Sequence, residues 1–259
     1  MDLQHPLSGL LVGILVGLTG VGGGSLMAPI MILLLGVVPA TAVGTDLWFA
    51  GITKTVGGAI HHHHGHPEWQ IIRRLAMGSL PAAAVTIYFL STANAHQIRS
   101  GTIVQLLGVI LILTAVATLL RKQMHSSARK LRVSTATAFK RWQPLLTIVA
   151  GAVLGVMVTL TSVGAGALGA TMLIVLYPLR LNARRVVGTD IVHAVPLTLL
   201  AGLGHLWMGN VDFALLGSLL IGSIPGIIIG SILSSRVHAN VLRPALAAVL
   251  AFAGFRLLM

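Results

Sequence analysis

The sequence has no cysteine, only five acidic residues and two tyrosines, and charged side chains make up 8% of its 259 residues. Without cysteine there is neither a disulfide scaffold nor a thiolate to bind metal or attack a substrate. A soluble domain carries roughly a quarter charged residues, so this chain has too little polar surface to cover a globule in water. In place of charge stand 56% hydrophobic residues and a mean hydropathy of +0.94. That composition is the mark of an all-α, multi-pass integral membrane protein. Thirty glycines and ten prolines argue for closely packed, sometimes broken helices rather than the alternating strands of a barrel. The scarcity of acids leaves 17 Lys and Arg and a net charge of +12. In a membrane chain that excess marks loops held in the cytoplasm beside anionic lipid, so the expected partner is membrane lipid and not nucleic acid. Met1-Asp2-Leu3-Gln4-His5-Pro6 lacks the basic start of a cleaved signal, and the first apolar stretch is expected to remain in the mature protein.

Apolar stretches run Leu7 to Leu18, Leu26 to Leu35, Val43 to Ile60, Leu75 to Leu90 and Ile103 to Leu120. They resume as Leu145 to Leu160, Leu168 to Leu179, Val186 to Met208, Phe213 to Leu233 and Pro244 to Leu258. A full crossing needs about 20 residues. The first two stretches of each set fall short, and between them lie Gly20-Val21-Gly22-Gly23-Gly24-Ser25 and Ser162-Val163-Gly164-Ala165-Gly166-Ala167, where helix propensity is poorest.

The chain is duplicated. A shift of 142 residues places Thr19, Val21, Gly22, Gly24 and Leu26 on Thr161, Val163, Gly164, Gly166 and Leu168. A shift of 144 places Gly44, Thr45, Asp46, Ala50, Gly58, His61, Gly78, Ser79 and Pro81 on Gly188, Thr189, Asp190, Ala194, Gly202, His205, Gly222, Ser223 and Pro225. Residues 1–120 and 144–259 are read as two membrane repeats, joined by a basic cytoplasmic loop over 121–143. Repeats of this kind in membrane proteins usually mean transport.

Charge decides their orientation. If the two short pieces form a re-entrant hairpin, each repeat makes three further crossings and the second is upside down. One face then collects Arg73, Arg74, Arg121, Lys122, Arg129, Lys130, Arg132, Lys140, Arg141, Arg180, Arg184, Arg185, Arg236 and Arg243, and the other keeps Arg99 and Arg256. Joining the short pieces into one broken crossing divides the cations far less sharply, so the positive-inside rule selects inverted repeats with both termini external. Two very short full crossings in place of each hairpin give the same parity.

Inverted hairpins bring their Gly-rich tips together near the midplane. The first N–H groups of each following half-helix lack internal partners, and the helix dipole presents roughly half a positive charge there. A small anion suits such a site, with Gly22, Gly23, Gly24, Ser25, Ser162, Gly164, Ala165 and Gly166 around it and hydroxyls from Thr19, Thr161, Thr45 and Thr189 nearby. Gly58, Gly78, Gly202 and Gly222 read instead as close-packing glycines.

The run Gly22-Gly23-Gly24 with Pro29, then Val43-Gly44-Thr45, then Gly78-Ser79-x-Pro81, repeated in weaker form downstream, resembles the TauE/SafE sulfite exporter family of membrane transporters. The resemblance covers nearly the whole chain outside Arg121 to Trp142. It implies passage of sulfur-containing anions such as sulfite, thiosulfate or an organosulfonate such as sulfoacetate across a bacterial inner membrane. Asp46 and Asp190 depart from the Ser or Asn many members carry after Gly-Thr, and Thr171 stands where a proline is expected.

Asp46 and Asp190 occupy matching helices, and a charge there costs about 2.5 to 3.5 kcal/mol at the bilayer centre. Two readings stand side by side: capping or backbone bonding near a helix start, or proton coupling beside the anion. Lys54, two turns beyond Asp46, is free to meet the anion or the other repeat's Asp, and its counterpart is Thr198, which makes the site asymmetric. His193, the counterpart of Phe49, is read as packed or solvated. The run His61-His62-His63-His64-Gly65-His66 is read as interfacial, with no metal site and no cofactor expected. No nucleophile and base, His-Glu-x-x-His or Gly-x-Gly-Asp pattern suggests an enzyme. The expected function is transport of a small anion; a passive anion channel and a non-transporting sensor or assembly protein are the alternatives, and a homo-oligomer is compatible with all three.

Overall fold

The computed structural model describes residues 3–19, 26–61, 67–92, 100–134, 136–233 and 239–259. Among them are ten helices and no strand: α1 (Gln4–Thr19), α2 (Met27–Leu33), α3 (Pro39–His61), α4 (Trp69–Thr92), α5 (Ser100–Ser134), α6 (Ala136–Thr161), α7 (Ala167–Leu176), α8 (Ala183–Trp207), α9 (Phe213–Leu233) and α10 (Ala239–Leu258). Five described helices are long and apolar enough to cross a membrane: α4, α5, α6, α8 and α9. Large apolar side chains such as Phe89, Ile228, Ile232, Phe252 and Phe255 are exposed on the outside of the bundle, as expected where lipid is the solvent.

Two expectations need correction. The stretch 121–143 is not a loop over its described residues: α5 continues through Arg121 to Ser134, and α6 begins at Ala136. The first helix of the second half is not short either, because α6 has 26 residues and is long and apolar enough to cross a membrane. Lys140, Arg141 and Gln143 break the hydropathy signal yet are good helix formers, so the helix starts well before the apolar run does. The first tip, with Gly22, Gly23, Gly24 and Ser25, lies outside the described residues, as do His62, His63, His64 and His66.

Helices of one half pack on helices of the other, with equivalent elements exchanged. α1 runs parallel to α9: Gly9 backs onto the Leu219 backbone, Gly13 onto Ser223 and Gly17 onto Ile227. α6 runs parallel to α4 in the same way, with Gly151 on Leu75 and Gly155 on Ser79. At each of these positions a Cβ would lie inside the partner's backbone, so the helices approach as closely as membrane helices can. The expected packing roles of Gly78 and Gly222 are part of this contact, Gly78 lying on Ile148 and Gly222 on Pro6. By contrast α3 and α8 are antiparallel: Gly44 meets Asn210, Trp48 Nε1 donates to the Gly202 carbonyl at 3.0 Å, and Gly51 meets Leu199. α5 and α10 are antiparallel too, Gly108 lying against Leu258 and Gly254 against Leu111 and Ile112.

Candidate functional site

The link from α6 to α7 is built to turn a chain inside a protein. Thr161 accepts the Val163 N–H at 3.2 Å while donating to the Met157 carbonyl at 2.7 Å. Ser162 then takes a positive φ of 59°, and Gly164 and Gly166 follow at 115° and 139°, values in which a side chain is strained. Every residue from Thr161 to Ala170 is buried. Gly166 is the N-cap of α7 and supplies no side-chain cap. The first backbone bonds belong to Gly169 N–H, onto the Gly164 carbonyl at 3.0 Å, and Ala170 N–H, onto Gly166 at 2.9 Å. The N–H groups of Ala167 and Leu168 precede them in the sequence of the turn, where a helix leaves its donors unpaired.

Three charged side chains converge on this buried helix start. Lys54, on α3, is 3% exposed and donates from Nζ to the Ala165 carbonyl. It feels Asp190 most strongly and Asp46 next. The direct ion pairs among the described residues lie elsewhere, joining Arg180 and Arg185 to Glu68. Asp190 packs its Oδ1 against the Cα of Gly169, so that any larger residue there would collide with the carboxylate. Asp46 faces Ser162 and the backbone of Ala28, yet among the described residues neither carboxylate oxygen reaches a hydrogen-bond partner, and Ser162 Oγ has none there either. Each Asp is eight residues into its helix, since α3 begins at Pro39 and α8 at Ala183. The cap of α8 is Asn182, whose side chain accepts from Arg185 N–H at 2.9 Å.

Of the expected site residues, Lys54, Asp46, Asp190, Ser162, Gly164, Ala165 and Gly166 are therefore brought together. Thr45 and Thr189 serve elsewhere. Thr189 Oγ1 accepts the Glu68 N–H at 3.1 Å and Thr45 Oγ1 accepts the Asp212 N–H at 3.0 Å, each tying one half to the helix start of the other. His193 is packed as expected, 2% exposed, but Nε2 also pairs with Ser79 Oγ at 2.8 Å across α4 and α8. Arg121, assigned by sequence to a surface loop, lies close enough to Asp190 to act on its charge. Spacing on one helix carries no signal for the Ser79–His193 contact, because it joins different helices. His205, counterpart of His61, pairs Nε2 with the Thr159 carbonyl at 2.9 Å. Among the described residues no three His, Asp or Glu side chains are grouped as metal ligands.

Set beside known proteins, residues 6–257 match the family described as Sulfite exporter TauE/SafE. The chain is 41% identical over 266 residues to the probable membrane transporter protein YjnA of Bacillus subtilis (strain 168), covering all of both chains. It is 27% identical over 252 residues to the probable membrane transporter protein YdhB of the same strain, covering 96% of each. To the probable membrane transporter protein YunE, also of that strain, it is 34% identical over 102 residues, 39% of this chain and 36% of that one. No solved structure matches it.

Proposed function

Since the chain belongs to the TauE/SafE sulfite exporter family of membrane transporters, we propose that it carries a small sulfur-containing anion, such as sulfite, thiosulfate or an organosulfonate, through the buried start of α7. One observation carries this reading: a helix N-terminus without a side-chain cap is enclosed in the protein with an ammonium, Lys54, hydrogen-bonded to its tip. Ordinarily a buried helix start is capped, and a cation is the wrong charge for that end of the dipole. An anion seated there would satisfy the unpaired N–H groups and Lys54 together. Gly22, Gly23, Gly24 and Ser25 would supply the matching wall from the first repeat.

Inverted repeats are supported by the helix directions. Equivalent helices that meet, α3 with α8 and α5 with α10, are antiparallel, as a two-fold axis in the membrane plane requires. α2 has seven residues and α7 ten, rising about 10 and 15 Å against a hydrocarbon layer of about 30 Å. These lengths favour re-entrant half-helices. With the cation count, these lengths favour both termini lying outside a bacterial inner membrane. A reporter fused after Met124 should be cytoplasmic and one after Met259 external; the same side for both would end the inverted reading.

Asp46 and Asp190 are the proposed proton-coupling groups. At 5 Å and an effective dielectric of about 20, a carboxylate repels an anion by on the order of 3 kcal/mol. Protonation removes that repulsion, so anion and proton enter together. Purified protein should bind at least one of sulfite, thiosulfate and sulfoacetate, with saturable flux that responds to a proton gradient. No binding to any of them refutes the substrate class; non-saturating, gradient-insensitive flux assigns a channel instead.

A further inference from the structure

At the end of the molecule where α4, α6 and α8 begin and α7 finishes, a cavity of about 420 Å³ opens between the first turns of α6 and residues 176–180. Its wall is of two kinds. Lys140 and Arg180 give it two cations, and Leu176, Pro178 and Leu179 give it apolar surface. The floor is rigid: Gln143 Nε2 donates to the Leu176 carbonyl at 2.7 Å, and the buried Tyr177 hydroxyl pairs with Thr147 Oγ1 at 2.8 Å. Arg180 is held in place by Gln70 at 3.0 Å and Glu68 at 2.7 Å. Glu68 already serves Arg185 as well, so this acid is spent on two cations, while Lys140 is exposed and sits in no ion pair among the described residues. Charge at the cavity is therefore uncompensated and positive.

Position selects the class of anion. Lys140 and Arg141 lie a few residues before the apolar run Leu145 to Leu160 of α6, so the rim of the cavity lies where that run ends and charge begins, as at a membrane boundary. Trp142, Leu145, Leu146 and Leu179 are exposed around it, and an exposed tryptophan at the end of a span is the usual anchor in the headgroup layer. A water-soluble anion has no use for the apolar half of this wall, but an amphiphile does. We propose that the cavity holds the phosphate of an anionic phospholipid, with Lys140 and Arg180 meeting the headgroup and Leu176 and Leu179 the first carbons of its chains. This site is separate from the anion site at α7's other end, and stands or falls without it.

The test uses the full-length protein in neutral detergent, titrated with phosphatidylglycerol or with phosphatidylcholine of the same chains, native mass spectrometry counting the lipids retained. Wild type should keep one phosphatidylglycerol with about tenfold preference over phosphatidylcholine. Lys140→Arg should retain the preference, Lys140→Glu should abolish it, and Leu179→Glu should weaken both lipids. Equal retention of the two lipids by wild type overturns the proposal, as does an unchanged preference in folded Lys140→Glu. Displacement of the lipid by millimolar inorganic phosphate or glycerol 3-phosphate also overturns it, by showing a site for water-soluble anions.

Discussion

Thr45 and Thr189 stand at equivalent positions and do the same work, each accepting a backbone N–H at the helix start of the other repeat. Lys54 and Thr198 are equivalent too and do not. Lys54 crosses to the α7 tip, whereas Thr198 bonds back to the Ala194 carbonyl of its own helix at 2.9 Å. His193 pairs with Ser79, whereas its counterpart Phe49 is apolar and Ser223, counterpart of Ser79, has no partner for its hydroxyl among the described residues. The scaffold is thus symmetric and the polar centre is not. On the proposed transport reading, exchange of shape between two repeats would need matched joints, whereas one ammonium would be enough to hold one anion. On that reading the duplicated joints and Lys54 answer different requirements.

The largest test of the symmetric side is steric. Gly13→Val and Gly155→Val drive a side chain into the backbones of Ser223 and Ser79, and each should cost about 3 kcal/mol or more. Both should lose monodisperse protein to the same degree, read by yield and thermal melting. Gly217→Ala, with open space around it, should stay within about 0.5 kcal/mol of wild type. Unequal damage at Gly13 and Gly155 would break the symmetry of the scaffold.

Next in size is the asymmetric side. Lys54→Thr makes the two repeats alike, strips the Ala165 carbonyl of its partner and leaves two carboxylates facing the site. Anion affinity in equilibrium binding should fall on the order of 100-fold, the scale of a lost charged hydrogen bond. Little change in a folded variant would place the anion elsewhere. A smaller effect separates the two carboxylates. If protons accompany the anion, wild-type affinity weakens as pH rises from about 5 to 8, because deprotonated Asp repels the substrate. Either Asp46→Asn or Asp190→Asn should then be tight and independent of pH. Parallel profiles in all three proteins would make both residues structural.

Much of this was legible in sequence, and the part that was not has a physical cause. Repeated spacing exposed the duplication, and clustered glycines marked the break before α7, because both are written along one stretch of chain. The meeting of Lys54 with the α7 tip was read only as a freedom, since nothing in the sequence says which helix faces which. For the same reason the sequence offers Thr45 and Thr189 as hydroxyls near the site and carries no sign of the joints they make. Hydropathy hid the length of α6 and the helical course of Arg121–Ser134, as it measures affinity for lipid and not helix formation.

The smallest expected difference is the most selective for the comparison. Ser79→Ala removes a hydroxyl whose loss leaves buried His193 Nε2 without a partner, and an orphaned buried polar group costs about 1 to 3 kcal/mol. Ser223→Ala removes a buried hydroxyl that bonds to nothing among the described residues. Its loss should be neutral or slightly stabilising, because an unsatisfied hydroxyl is itself a burden in a packed interior. Thermal melting of the two purified variants against wild type reads the difference directly. A lower melting temperature for Ser79→Ala alone marks the α4 to α8 contact as polar glue on one side of a scaffold that is otherwise matched. Equal shifts would mean that Ser79 and Ser223 act only through their volume against Gly155 and Gly13, and the asymmetry would then narrow to Lys54.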